Sequence, residues 1–208
     1  MQLIGMLDSP YVRRVAISLR LLGLPFEHRP VSVFSTFAQF QQINPVVKAP
    51  SLVCDDGEVL MDSTLILDLA ETLAEAAAPG GRRLMPREPA RRQHVLRVIG
   101  LALAACEKSV QIVYEHELRP PEKLHRPWLE RVQGQLAAAY ALLEAELLSH
   151  PLDASVEGID QAGVTTAVAW QFTHMLLPGQ VPVAAHPAID DFASRAEALP
   201  AFRDFPAR

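Results

Sequence analysis

Residues 43–71 read "INPVVKAPSLVCDDGEVLMDSTLILDLAE", and the order of signals within them sets the fold class. The piece "PSLVCDDGEVLMD" predicts two short strands joined at Asp56-Gly57, because Asp-Gly between apolar runs is a strong hairpin signal. The following "STLILDLAETLAEAA" has helical periodicity, with Asp62 or Ser63 as its cap. Upstream, "TFAQFQQI" predicts a short helix and "PFEHRPV" a strand. Before these, "YVRRVAISLRLL" repeats apolar residues at Val12, Val15, Ala16 and Leu19 at helical spacing. Pro10 suits the first turn of that helix and Gly23 its end. With "QLIGML" as the first strand, residues 1–78 take the order β-α-β-α-β-β-α.

The segment that follows, "APGGRRLMPREPA", packs three prolines and two glycines into a charged stretch, a composition that holds neither helix nor strand. It predicts a solvated linker over 79–89 and a second domain over 90–208. There the pattern is helical throughout, over residues 87–118, 121–148, 160–176 and 187–198. Runs such as "VLRVIGLALAA" and "GVTTAVAWQF" are apolar nearly all round, as in helices buried in a bundle.

Composition narrows the function classes. Half of the 208 residues are hydrophobic, ample for a buried core. A formal net charge of −5 and a pI near 5.8 provide no basic field to gather phosphates, so nucleic acid is not an expected partner. No apolar run approaches the roughly 20 residues that span a bilayer, and no charged segment leads into an apolar core at the amino terminus. A soluble, cytoplasmic protein without a membrane partner is expected. Cys54 and Cys106 are the only cysteines, too few and too isolated for a zinc site, and no metal is expected. Both stand in apolar contexts that predict small buried side chains.

Three stretches of the first domain carry chemistry. In Ser9-Pro10-Tyr11 a hydroxyl stands at the start of a helix, where it serves equally as a cap or as a donor beside the helix's positive end. No cysteine is there, so a thiolate stabilised at that point has to arrive on a ligand. In "NPVVKAPSL", Pro50 opens a strand; a cis bond before it would turn the Ala49 backbone outward to pair with a peptide-like ligand. Asp62-Ser63 is either a plain helix cap or a receptor for the charged groups of an amino acid.

Together, "SPYVRRVAISLRLLGLPFE", "INPVVKAPSLVCDDGEVLMDSTLILDLAE" and the terminal "HPAIDDFASRAEALPAFRDF" resemble the soluble glutathione transferase superfamily in order and distance, over essentially the whole chain. The Ser-Pro-aromatic start is similar to the serine-type members, such as the plant tau class and bacterial relatives. The resemblance implies an α/β thioredoxin-like amino-terminal domain, an all-α helical-bundle carboxy-terminal domain, and glutathione as co-substrate. It implies that Ser9 hydrogen-bonds the glutathione sulfur and that Ala49, before a cis Pro50, pairs with the cysteinyl unit. Asp62 and Ser63 would hold the γ-glutamyl end, and Lys48 would reach the glycyl carboxylate. It further implies a homodimer, with residues 63–74 facing the partner's helical domain.

Two positions depart from the family pattern. Asp62 stands where Glu or Gln is usual, which shortens the reach. In "IDQAGV" Asp160 is a helix cap, but Gly163 occupies the place of its reciprocal partner.

The expected activity is conjugation of glutathione thiolate to a small hydrophobic electrophile, as in detoxification. The electrophile's pocket is expected between the domains, with Tyr11, Tyr114 and Trp170 as candidates. A non-catalytic binding or assembly module is the alternative, kept open by Asp62. A glutathione-dependent disulfide reductase is a weaker one, because that chemistry normally places a protein cysteine where Ser9 stands.

Overall fold

The computed structural model describes residues 1–207. Its contacts divide the chain into two compact units, Met1–Met85 together with the C-terminal segment from Ala198, and Pro86–Glu197. In the first unit β1 (Gln2–Ile4), α1 (Pro10–Leu21), β2 (Glu27–Arg29), α2 (Phe37–Ile43), β3 (Ser51–Val53), β4 (Val59–Met61) and α3 (Ser63–Ala77) follow the expected order. The sheet runs β2-β1-β3-β4, with β1 parallel to β2 and antiparallel to β3, and β3 antiparallel to β4. A parallel pair needs a crossover, which α1 supplies, whereas β3 and β4 need only a tight turn. That turn closes with the Gly57 N–H donating to Cys54 O at 3.0 Å, and Gly57 takes the left-handed φ of +89°.

Adjacent residues of β1 serve opposite faces of the sheet. Leu3 joins Val12, Val15, Ala16, Leu19, Leu52, Ile66 and Leu67 in one core cluster, and Ile4 joins Val31 and Phe40 in the other. The four apolar positions predicted for α1 are all fully buried. Helix α1 then stops at a paired C-terminal motif: the Gly23 N–H donates to Arg20 O and the Leu24 N–H to Leu19 O, with Gly23 at φ +70°. At the other end of the crossover, Gly5 has φ +140°, and a Cβ there would meet Val12 Cγ2 at 2.5 Å and Ala49 Cβ at 3.3 Å. Glycine lets the end of β1 touch both α1 and the loop before β3.

The second unit holds α4 (Pro89–Glu117), α5 (Arg126–Ser149), α6 (Gln161–Leu176) and α7 (Pro187–Glu197), with α4 packed on α5 and α6, and α7 on α5 and α6. Every residue from Gln161 to Trp170 is buried, as the all-round apolar pattern predicts. The Asp160 carboxylate caps α6 by accepting the Gly163 N–H at 3.0 Å. A Cβ on Gly163 would stand 2.9 Å from Ile159 Cγ1 and 3.1 Å from Phe192 Cζ. A side chain at 163 would therefore have to displace Ile159 and press on Phe192 of α7, a packing reason for glycine where the reciprocal cap would stand.

Three boundaries differ from the sequence reading. Helix α5 begins at Arg126 and not at Pro121, which forms only a single 3-10 turn. Pro127, within the first turn of α5, lacks an N–H and would clash with a preceding turn. The linker is not solvated throughout, since Leu84 and Met85 are buried. Finally, the segment from Ala198, including α8 (Pro200–Arg203), packs with the first unit. Arg13, itself buried, donates from Nε to Phe205 O at 2.8 Å and lies over the Phe202 ring, and Phe205 stacks on Phe26.

Candidate functional site

Ser9 is the N-cap residue of α1, with extended backbone and Pro10 following it, yet its side chain makes no capping hydrogen bond. Its carbonyl starts the helix by accepting the Arg13 N–H at 3.0 Å. The half-buried hydroxyl is thus placed at the positive end of α1 without being spent on the helix's own N–H groups. Beside it, partial burial pushes the Asp8 carboxyl above its ordinary range, against the opposing pull of the Ser9 N–H.

The loop before β3 is pinned by buried Asn44 and Ser51. Asn44 Nδ2 donates to Ser51 Oγ at 2.9 Å, its Oδ1 accepts the Val46 N–H at 3.0 Å, and Ser51 Oγ donates to Lys48 O at 2.8 Å. Within the loop Val47 has φ +53°, and the Ala49–Pro50 bond is cis. A β-branched residue at positive φ is an outlier that needs such surrounding bonds to hold it. Through Gly5, the same loop sits against Val12, one turn into α1 from Ser9.

Asp62 also has positive φ, +73°. Its Oδ1 accepts the Thr64 N–H at 2.9 Å, capping α3, while Oδ2 lies 3.8 Å from Lys48 Nζ. The Lys48 and Asp62 side chains are 50% and 46% exposed, so their pairing contributes at most about 1 kcal/mol. A zwitterionic ligand can replace either partner at little cost. Ser63 is buried, and Arg14 Nη1 donates to its Oγ at 3.1 Å. Ser63 keeps its own O–H to donate to a carboxylate, with a buried guanidinium behind it.

A family model for the glutathione S-transferase N-terminal domain matches residues 3–79. The chain is 26% identical over 179 residues to the uncharacterized GST-like protein YibF of Escherichia coli K12, covering 86% of each chain. It is 25% identical over 122 residues to glutathione S-transferase U4 of Arabidopsis thaliana, covering 53% of this chain and 52% of that one. The crystal structure of a glutathione transferase family member from Pseudomonas fluorescens Pf-5, with bound glutathione, superposes with a TM-score of 0.82 at 28% identity, covering 100% of this chain and 98% of that one. In sequence and fold this chain is similar to glutathione transferases.

The structure brings the sequence-predicted residues Lys48, Ala49 and Pro50 to the loop before β3, and Asp62 and Ser63 to the start of α3. Two residues missed in the sequence hold them there, Arg14 behind Ser63 and Asn44 behind the Lys48–Pro50 loop. Among the aromatic candidates, Tyr11 is half-buried in the first turn of α1 and Tyr114 is 44% exposed on α4. Trp170 is buried within the second unit. It is 4% exposed, its Nε1–H donates to Asp190 Oδ1 at 3.0 Å, and Tyr140 packs edge-on against its ring. An open cavity of about 510 Å³ in the second unit is lined by the ends of α4 and α6, including Ile112, Val113 and Leu177.

Neither cysteine forms a disulfide, and neither stands at the start of α1. Cys106 is buried. The Cys54 thiol is pushed up by burial and then by the charges of Asp56, Glu58 and Asp55, the opposite of what a reactive thiolate requires. Among the described residues, no helix is long and apolar enough to cross a membrane.

Proposed function

We propose that this transferase-like protein binds glutathione in its first unit and activates it as a thiolate for conjugation to small electrophiles. The observation that carries this reading is Ser9: a hydroxyl at the N-terminus of α1 that the helix does not use as a cap. Asp62 would take the ligand's ammonium, Ser63 backed by Arg14 its α-carboxylate, the Ala49 backbone its cysteinyl unit and Lys48 its glycyl carboxylate. The glutathione-bound relative from Pseudomonas fluorescens supports that ligand.

In the mechanism, the glutathione S–H loses its proton to solvent, and the sulfur anion accepts the Ser9 O–H while facing the α1 dipole. Lowering a thiol from about 8.5 to about 7 raises its thiolate fraction at neutral pH from about 3% to about half. Sulfur then forms a bond to the electrophilic carbon, whose leaving group departs with the displaced electron pair. Ser9 is a donor here and takes no part as a nucleophile. Reduction through a protein thiol is disfavoured by the surroundings of Cys54 and the burial of Cys106.

Calorimetry of glutathione binding, combined with conjugation to an aryl halide, tests this for wild type and Ser9→Ala. Because a hydrogen bond to a charged group contributes about 1.5–3 kcal/mol, Ser9→Ala should keep glutathione affinity and lose about tenfold or more in kcat/KM. Its pH–rate profile should shift upward. Absence of glutathione binding by the wild type overturns the reading, and unchanged turnover in Ser9→Ala overturns the role of Ser9 alone.

A further inference from the structure

The second unit carries a cluster of metal-ligating side chains that glutathione chemistry does not use. His94 lies on α4, while Glu146 and His150 lie at the C-terminal end of α5. His150 is the C-cap residue of α5 and donates its N–H to Glu146 O at 2.7 Å, which holds it one turn beyond Glu146. Contacts pair the start of α4 with the end of α5, so the two helices run antiparallel and His94 meets that turn. One ligand atom from each of the three lies within 4.8 Å of the others, with His94 Nδ1 3.7 Å from Glu146 Oε2 and the two imidazole centres 4.8 Å apart. Ligands about 2.1 Å from a tetrahedral ion stand about 3.4 Å from one another. The largest separation exceeds this by about 1.4 Å, within reach of side-chain rotation on a fixed backbone.

The surroundings suit such an ion. Arg97 Nε donates to Glu146 Oε1 at 2.6 Å, which fixes the carboxylate and leaves Oε2 turned to His94. Outer hydrogen bonds of this kind commonly orient ligating carboxylates. Arg97 is itself 55% exposed, so solvent screens its charge, and the Asp160 carboxylate lies within electrostatic range of His94. Two imidazoles beside one carboxylate oxygen repel each other as cations and are metal donors as neutral rings. Two nitrogens and one carboxylate oxygen form the donor set of open zinc sites.

The geometry points to a site for one first-row divalent transition ion of the zinc class, held by His94, Glu146 and His150, with a fourth position open to water or an external ligand. Its ligands are independent of the residues assigned to glutathione, so it stands or falls separately from the proposed activity.

Untagged, chelator-treated full-length protein dialysed against zinc chloride provides the test, with bound zinc counted per chain. Wild type should bind one equivalent, and zinc should raise its Tm. His150→Ala and Glu146→Gln should each bind about tenfold or more weakly, and zinc should no longer raise their Tm. His116→Asn, on α4 outside the cluster, should bind as wild type does. His150 is exposed, so its variant folds, and circular dichroism checks this. No zinc bound by the wild type, or undiminished binding by folded His150→Ala, overturns the site.

Discussion

With φ at +73°, Asp62 gives Oδ1 to the Thr64 N–H and turns Oδ2 toward the Lys48 ammonium. One short carboxylate therefore starts α3 and presents a negative charge at the helix end proposed to meet glutathione. Asn caps as well as Asp but carries no charge. Asp62→Asn should therefore leave Tm within a few degrees of wild type and weaken glutathione binding about five- to tenfold, read by calorimetry. Asp62→Ala should lose the cap as well, at about 1 kcal/mol. Wild-type affinity in Asp62→Asn would refute the assignment of the ligand's ammonium to this residue. Most of the proposed site was legible in the sequence because its members are local backbone signals: a serine before a helix-starting proline, a proline opening a strand, an Asp-Ser cap. Arg14 and Asn44 were not legible. Arg14 acts on Ser63, 49 positions away, and Asn44 acts through a loop whose path the sequence does not spell out. The surroundings of Trp170 were not legible either, because an indole on an apolar helix reads the same whether or not it donates inward, as it does here to Asp190.

Between α3 and α4, composition identified the absence of regular structure correctly but not the anchoring of the chain. Glu71 Oε1 on α3 accepts the N–H groups of Leu84 at 2.7 Å and Met85 at 2.9 Å, and Arg83 Nη2 lies 3.5 Å from its other oxygen. These bonds tie the end of the segment to the first unit and bury Leu84 and Met85. A proline- and glycine-rich stretch announces a break in helix or strand; what it packs against depends on a carboxylate well upstream. Removing that carboxylate leaves two buried N–H groups without an acceptor, a loss of about 2–4 kcal/mol. Glu71→Ala should lower the urea midpoint accordingly and expose the chain near Leu84 to proteolysis. Glu71→Gln, which keeps the carbonyl acceptor, should recover most of the loss. A midpoint in Glu71→Ala equal to that of wild type would show that the buried side chains alone hold the segment.

Across both units, carboxylates hold the starts of helices in a chain of net charge −5. Asp62 caps α3, Glu88 caps α4 through the N–H groups of Ala90 and Arg91, Asp160 caps α6, and Glu144 accepts the N–H groups of Ala188 and Ile189 in the first turn of α7. The bonds to the Arg91 and Ala90 N–H groups hold the Glu88 carboxyl below its ordinary 4.5. Glu146 is held low first by its bond from Arg97, and Asp153 by its bonds from Ser155. A group whose pKa is depressed by folding contributes stability above its unfolded value, and that contribution is lost as pH falls through the folded value. Asp8 and Asp160, raised mainly by burial, act in the opposite sense, because their ionisation opposes folding above about 3.8. The lowered groups by themselves make Tm fall as pH is taken from 6 to below 4.5, the ordinary value for the glutamates among them, and substitution separates their contribution from that of Asp8 and Asp160. Glu88→Gln, which keeps an acceptor at the cap but cannot titrate, should be less stable than wild type at neutral pH, and the gap should narrow on acidification. Thermal melts of both proteins across this range in chelator-containing buffer read the difference. A gap that stays constant would show that the Glu88 charge contributes nothing to the start of α4.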